Sequence, residues 1–259
     1  MRRILLEFIV LIGIGGLIWA AFALFVNMPQ NPTLLSIERE QTIGDKYVKY
    51  IHSLPGFYPV ENDYADSILL VTANKLHEAQ PNAMYTYKIS LVDNEIVNAF
   101  ALPGGHIIVT RGLINFCQTP EELIAVISHE IGHIENRHVI SRLIKDIGID
   151  LITSGDTYVM GEIARSIISS GYNRKQEEDA DIFACKLLLK VNIEPRSLAG
   201  FFRKLKQEED SGILEKFEVV SSHPNFTKRI KYILSFNVPD NFKAQEAWVD
   251  LNLLQKKIS

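Results

Sequence analysis

The stretch from Thr119 to His138 constrains this chain more than any other, because it reads as a buried helix with charged and imidazole side chains inside it. Thr119-Pro120-Glu121-Glu122 is a helix start, with Thr as cap, Pro at the first helical position and acids in the first turn. Behind it Leu123, Ile124, Val126, Ile127, Ile131 and Ile134 leave little of the helix surface for water. Among them stands His129-Glu130-Ile131-Gly132-His133. Buried imidazoles and carboxylates need partners, and a metal ion supplies them. Histidines at i and i+4 lie one turn apart on one face, so both can reach the same zinc. Glu130 lies about 100° further round the helix, placed to take a proton from a water activated by the metal and pass it to a leaving amine. Gly132 leaves room beside this group.

A catalytic zinc needs a third protein ligand and one open position. Two cysteines in 259 residues, Cys117 and Cys185, are too few for a four-thiolate site, so the donors are expected to be His and carboxylates. Both cysteines stand among apolar helix residues and read as packed thiols. The best source of the third donor is Asn173-Arg174-Lys175-Gln176-Glu177-Glu178-Asp179-Ala180-Asp181. Glu177 and Asp181 are again at i and i+4, so one can ligate while the other hydrogen-bonds a ligand histidine. Spacing alone allows Glu178 as well.

The other elements place these residues in an α+β chain. Helical periodicity runs over 36–52 and 64–78, and strands are expected at 85–92, 96–102 and 106–110 around the turn Pro103-Gly104-Gly105. Helical pattern returns over 141–171, 173–191, 195–207 and 224–236. Residues 237–259 form a polar tail of unknown role. The 47% hydrophobic and 22% charged composition excludes a disordered or fibrous protein, and a net charge of −4 argues against a nucleic-acid partner.

From Phe8 to Val26 no charged residue occurs. A helix of that length crosses a hydrocarbon core of roughly 30 Å. Residues 1–26 are therefore expected to be a transmembrane anchor, followed by a linker over 27–35 that holds Pro29 and Pro32. Arg2 and Arg3 before the run keep the N-terminus in the cytoplasm and place the rest outside. The rival is a signal peptide cleaved after Ala21-Phe22-Ala23, which would release the protein.

HEIGH followed by the Glu-x-x-x-Asp of EEDAD resembles the gluzincin metallopeptidases of the HtpX, BepA and CAAX prenyl protease family. NAFALPGGHIIVTRGLI (Asn98 to Ile114) and SSHPNFTKRI (Ser221 to Ile230) are similar to that family's upstream and downstream motifs. The likeness is greatest to its small periplasmic and mitochondrial quality-control members. It implies a zincin-like metallopeptidase domain over 36–236, mostly helical, with a small sheet beside the HExxH helix. It also implies one Zn2+ per chain, Glu177 as third ligand and Asp181 as the residue behind a ligand. By the same resemblance His223 lies near the zinc, as an oxyanion donor or as a fourth ligand that keeps the enzyme latent. Asn173-Arg174 departs from the commoner Ser-Arg, with no expected effect on metal binding. The function implied is a zinc endopeptidase clearing misfolded or membrane-associated proteins, anchored in the inner membrane with its site on the periplasmic side. A zinc-dependent chaperone or scaffold, and a processing protease with one substrate, are the alternatives.

Asn98 to Thr110 has a reading of its own. A strand that ends in Gly104-Gly105 and re-enters at His106-Ile107 can present an edge to which an extended peptide adds as a further strand. An ordinary core hairpin accounts for the same residues. His52, His77, His106 and His138 have no second partner at ligand spacing and read as structural or exposed.

Overall fold

A computed structural model describes residues 12–17, 19, 35–154, 156–169, 171–210, 219, 222–223 and 225–259. The chain divides into two compact units, residues 1–34 and 35–259. In the first, residues 12–17 are helical, and Ile12, Ile14, Leu17 and Trp19 are exposed. Among the described residues no helix is long and apolar enough to cross a membrane. Most of the expected span at 8–26 and nearly all of the linker lie outside the described residues.

The second unit opens with α1 (Ile37–Ile51), capped by Ser36, and α2 (Asp63–Glu78), capped by Asn62. Three short strands follow: β1 (Lys88–Val92), β2 (Ala99–Leu102) and β3 (His106–Thr110). Their order is β1-β3-β2, with β1 parallel and β2 antiparallel to β3. The first strand was expected from residue 85. Tyr85 and Tyr87 instead send their hydroxyls to Glu40 and Glu135, 2.9 Å in each case, and ladder pairing starts at Lys88.

Helix α3 (Arg111–Phe116) leads into α4 (Pro120–Glu135), whose Thr119 cap accepts from the Glu122 amide. Every residue of α4 from Glu122 to Ile134 is buried. Leu123, Ile124, Ile127 and Ile131 are at most 1% exposed, and each such side chain contributes about 1.5–3 kcal/mol. One flank of α4 meets β2, and another meets α8 (Arg174–Lys190) at close range. Gly132 permits that approach, since a Cβ there would lie 2.9 Å from both the Cα and the O of Ala180.

α4 does not run on to 138 as its pattern suggested. Arg137 adopts a left-handed conformation (φ 53°), and a new helix, α5 (His138–Asp146), starts after it. Arg137 is held there by Glu40, whose Oε2 accepts from Nε (3.1 Å) and Nη2 (2.8 Å), and by the Leu35 carbonyl at 2.7 Å. The helical stretch read at 141–171 is likewise divided, into the rest of α5, then α6 (Ile149–Ser154) and α7 (Thr157–Ser169), with a break at Gly148 (φ 93°). Helices α9 (Arg196–Asp210), α10 (Phe226–Leu234) and α11 (Leu251–Ile258) complete the unit. The tail belongs to the packed structure: Trp248 donates to Thr72, Gln255 to the Ile114 and Cys117 carbonyls, and Asn62 to the Lys257 carbonyl.

Candidate metal centre

Three segments remote in sequence meet on one face of α4. His129 and His133 come from α4 itself, Glu177 from the first turn of α8, and His223 from just before α10. One donor atom from each of these four buried side chains lies within 4.8 Å of the others. The Nε2 atoms of His129 and His133 are 3.1 Å apart. Glu177 Oε1 lies 3.5 Å from His133 Nε2 and 3.0 Å from His223 Nδ1. His223 Nδ1 is 3.3 Å from His129 Nε2.

Converging nitrogen lone pairs repel unless a proton or a cation stands between them, and three imidazoles with one carboxylate form a donor set suited to zinc. Glu177 Oε2 adds to the fit. It is buried beside the Arg229 Nη1 cation at 2.5 Å, yet receives no aligned hydrogen bond. Glu178, the neighbour that spacing also allowed, is exposed and stands outside the group.

Local sequence explains how α8 presents Glu177. Asn173 caps the helix, accepting from the Lys175 and Gln176 amides, while the Gln176 side chain accepts from the Asn173 amide. Asn caps as well as Ser, so the Asn-for-Ser departure preserves the helix start. One turn on, Asp181 Oδ1 lies 3.0 Å from His129 Nδ1. Accepting that ring proton leaves His129 Nε2 bare and facing the other donors.

Glu130 occupies the neighbouring position. Its Oε2 accepts from the Ala101 amide of β2 at 2.9 Å, and its Oε1 is 3.5 Å from His223 Nε2. Burial raises the Glu130 carboxyl above its ordinary range, against the pull of His223 and His129. Burial works the same way on Glu177, but His223 and Arg229 overcome it and hold that carboxyl well below the usual value. His223 is buried too, and the Glu177 and Glu130 charges raise its pKa despite that. Burial lowers His133 well below an ordinary imidazole.

Four residues around the donor group were not identified from sequence. Arg229 donates to Asp181 Oδ2 through Nε (2.8 Å) and to Oδ1 through Nη2 (2.7 Å), with its guanidinium 4.0 Å from the Phe202 ring centroid. It lies within SSHPNFTKRI, the only signal that could have marked it. Tyr172 stacks on His133 with centroids 3.7 Å apart, and Arg142 lies 4.5 Å from the Tyr172 ring centroid. His138, read as structural or exposed, has its Nδ1 3.0 Å from His133 Nδ1. Burial pushes the His138 imidazole down to about 4.

The edge expected at Asn98–Ile107 needs correction. His106 and Ile107 lie in β3, the central strand, paired on both sides by β1 and β2, and so offer no free edge. His106 Nε2 is 2.8 Å from Asp45, outside the donor group. Gly104 and Gly105 (φ 77° and 92°) form a tight turn against Gln41 and Thr86, where a Cβ would collide with backbone. The edge beside Glu130 is β2, and Asn98 leads into it. The Asn98 side-chain amide is buried with neither polar atom partnered. His223 stands two residues ahead of the left-handed Asn225 that caps α10, which starts at Phe226 and not at the expected residue 224.

Residues 59–236 match Peptidase family M48. The metalloprotease LoiP of Escherichia coli is 27% identical over 220 residues, covering 81% of this chain and 84% of LoiP. The mitochondrial metalloendopeptidase OMA1 of Arabidopsis thaliana is 29% identical over 158 residues, which is 59% of this chain and 32% of that protein. The β-barrel assembly-enhancing protease of Yersinia pestis is 27% identical over 212 residues, 73% and 42% respectively. The chain thus spans most of LoiP and less than half of the other two. The match covers the helix that carries HEIGH, the Glu177 turn and the His223 segment together, and the chain belongs to Peptidase family M48.

Proposed function

We propose that the protein is a zinc-dependent endopeptidase, with His129, His133 and Glu177 as ligands, Glu130 as general base and Asp181 orienting His129. The observation that carries this reading is the convergence of four buried donors next to a carboxylate of raised pKa. Zinc, when bound there, supplies a Lewis acid that activates water and polarises the substrate carbonyl. The remaining work falls to the chain. The Ala101 amide fixes one oxygen of Glu130 and leaves the other to take and return a proton. Asp181, itself held by two bonds from Arg229, fixes the His129 tautomer. An extended peptide binds along β2, the edge strand that also places the Ala101 amide beside Glu130.

His223 acts as a fourth donor that keeps the site latent. Its Nδ1 points into the donor group, and the carbonyl of its neighbour Ser222 accepts from the amide of Tyr172 at 3.2 Å, tying the His223 segment to the residue stacked on His133. On casein, His223→Ala should raise basal turnover with zinc retained. A fall of roughly a hundredfold would make His223 an oxyanion donor instead, and unchanged turnover would remove it from the site.

The substrates proposed are misfolded or membrane-associated proteins, in line with the name of the β-barrel assembly-enhancing relative. Residues 8–26 are proposed to anchor the chain in the inner membrane with the peptidase unit on the periplasmic side. Full-length protein should stay with membranes through an alkaline wash. Its release as a chain beginning at Leu24 would establish signal cleavage.

A further inference from the structure

The two α4 histidines differ in what stands behind them. His129 Nδ1 faces the Asp181 carboxylate at 3.0 Å, whereas His133 Nδ1 faces another imidazole nitrogen, His138 Nδ1, at 3.0 Å. Two ring nitrogens that close share a proton, and the rest of the site decides which ring owns it. His133 Nε2 is turned toward His129 Nε2 and Glu177 Oε1, the ligating side. A nitrogen that ligates is bare, so the His133 proton resides on Nδ1. His138 Nδ1 is then the acceptor, and His138 carries its own proton on Nε2. We propose that His138 is a positioning residue: it accepts the Nδ1 proton of His133 and so fixes the tautomer and ring orientation with which His133 meets zinc. This rests on the zinc-ligand reading of His133 given above.

The fold is arranged to bring the two rings together. In an unbroken helix the residue five places after His133 would stand about 140° away round the axis, off the ligand face. The left-handed Arg137 ends α4 and restarts the chain as α5 with His138 as its first residue, bringing that ring within a centroid distance of 5.1 Å of His133. Arg137 is held in that conformation from a distant part of the chain, by Glu40 and the Leu35 carbonyl. Tyr172 stacked on His133 limits the ring from another side without offering it a hydrogen bond. Among the described residues around His133, His138 is the one that meets Nδ1. An imidazole acceptor also adds no charge to a site that already holds Glu130, Glu177 and Asp181.

The test compares His138→Leu with His138→Asn in the full-length protein. Leu fills the space and removes the acceptor. Asn restores one, because its Oδ1 sits about as far along the side chain as Nδ1 of histidine. Zinc affinity is read by competition with a chromogenic chelator, ligand geometry by the visible absorption of the cobalt(II)-substituted protein, and folding by thermal unfolding of the metal-free protein. Losing a partner behind a ligand weakens metal binding by roughly 10–100-fold. His138→Leu should show that loss and an altered cobalt spectrum, while His138→Asn recovers most of both and the metal-free unfolding temperatures agree. Wild-type affinity in the Leu variant, or an Asn variant as weak as Leu, would overturn the proposal. Failure of the wild-type protein to bind zinc would overturn the zinc reading itself, and this assignment with it.

Discussion

Replacing Glu130 by Gln should cut casein cleavage by about a hundredfold or more while zinc content and thermal unfolding stay at the wild-type level. The substitution keeps the size of the side chain and an oxygen that can still accept from the Ala101 amide, so the contact between α4 and β2 survives. It removes the carboxylate that can take a proton. Burial already raises the Glu130 carboxyl, which brings its basicity closer to neutral pH and makes it a better proton acceptor. Appreciable cleavage by purified Glu130→Gln protein, free of contaminating protease, would move the base to another residue.

The second large effect separates two adjacent carboxylates. Glu177→Ala should lose zinc on purification, whereas Glu178→Ala should keep it. Glu177 is 2% exposed and lies 3.5 Å from His133 Nε2, while Glu178 faces solvent. Removal of Glu177 leaves Arg229 still paired with Asp181, so the variant should fold. The affinity lost should exceed the roughly 10–100-fold typical of a partner that only supports a ligand. Zinc analysis of both purified variants checks this, and the reverse pattern would shift the ligand by one residue.

What was legible in the sequence is what local periodicity encodes. The cap at Thr119 and the aliphatic residues around HEIGH describe α4, and the i, i+4 spacing in EEDAD describes the turn of α8 that carries Glu177 and Asp181. The rest depends on contacts between distant segments. The strand order β1-β3-β2 makes β3 central, so the edge falls to β2, and no alternation pattern distinguishes an edge strand from a central one. His138 was set aside because helical spacing turns it away from His133. That spacing fails at Arg137, whose left-handed conformation is held by Glu40, 97 residues earlier. Arg229, from α10, and Tyr172, from the loop before α8, reach the donor group in the same way, through folding and not through spacing.

The most direct test of the central claim is a zinc titration of metal-free wild-type protein read by casein cleavage. Cleavage should be absent at the start, rise in proportion to added zinc and level off at one zinc per chain, with Glu130→Gln binding the same single equivalent and remaining inactive. Full cleavage by the metal-free protein, or zinc binding that survives loss of both His129 and His133, would contradict it.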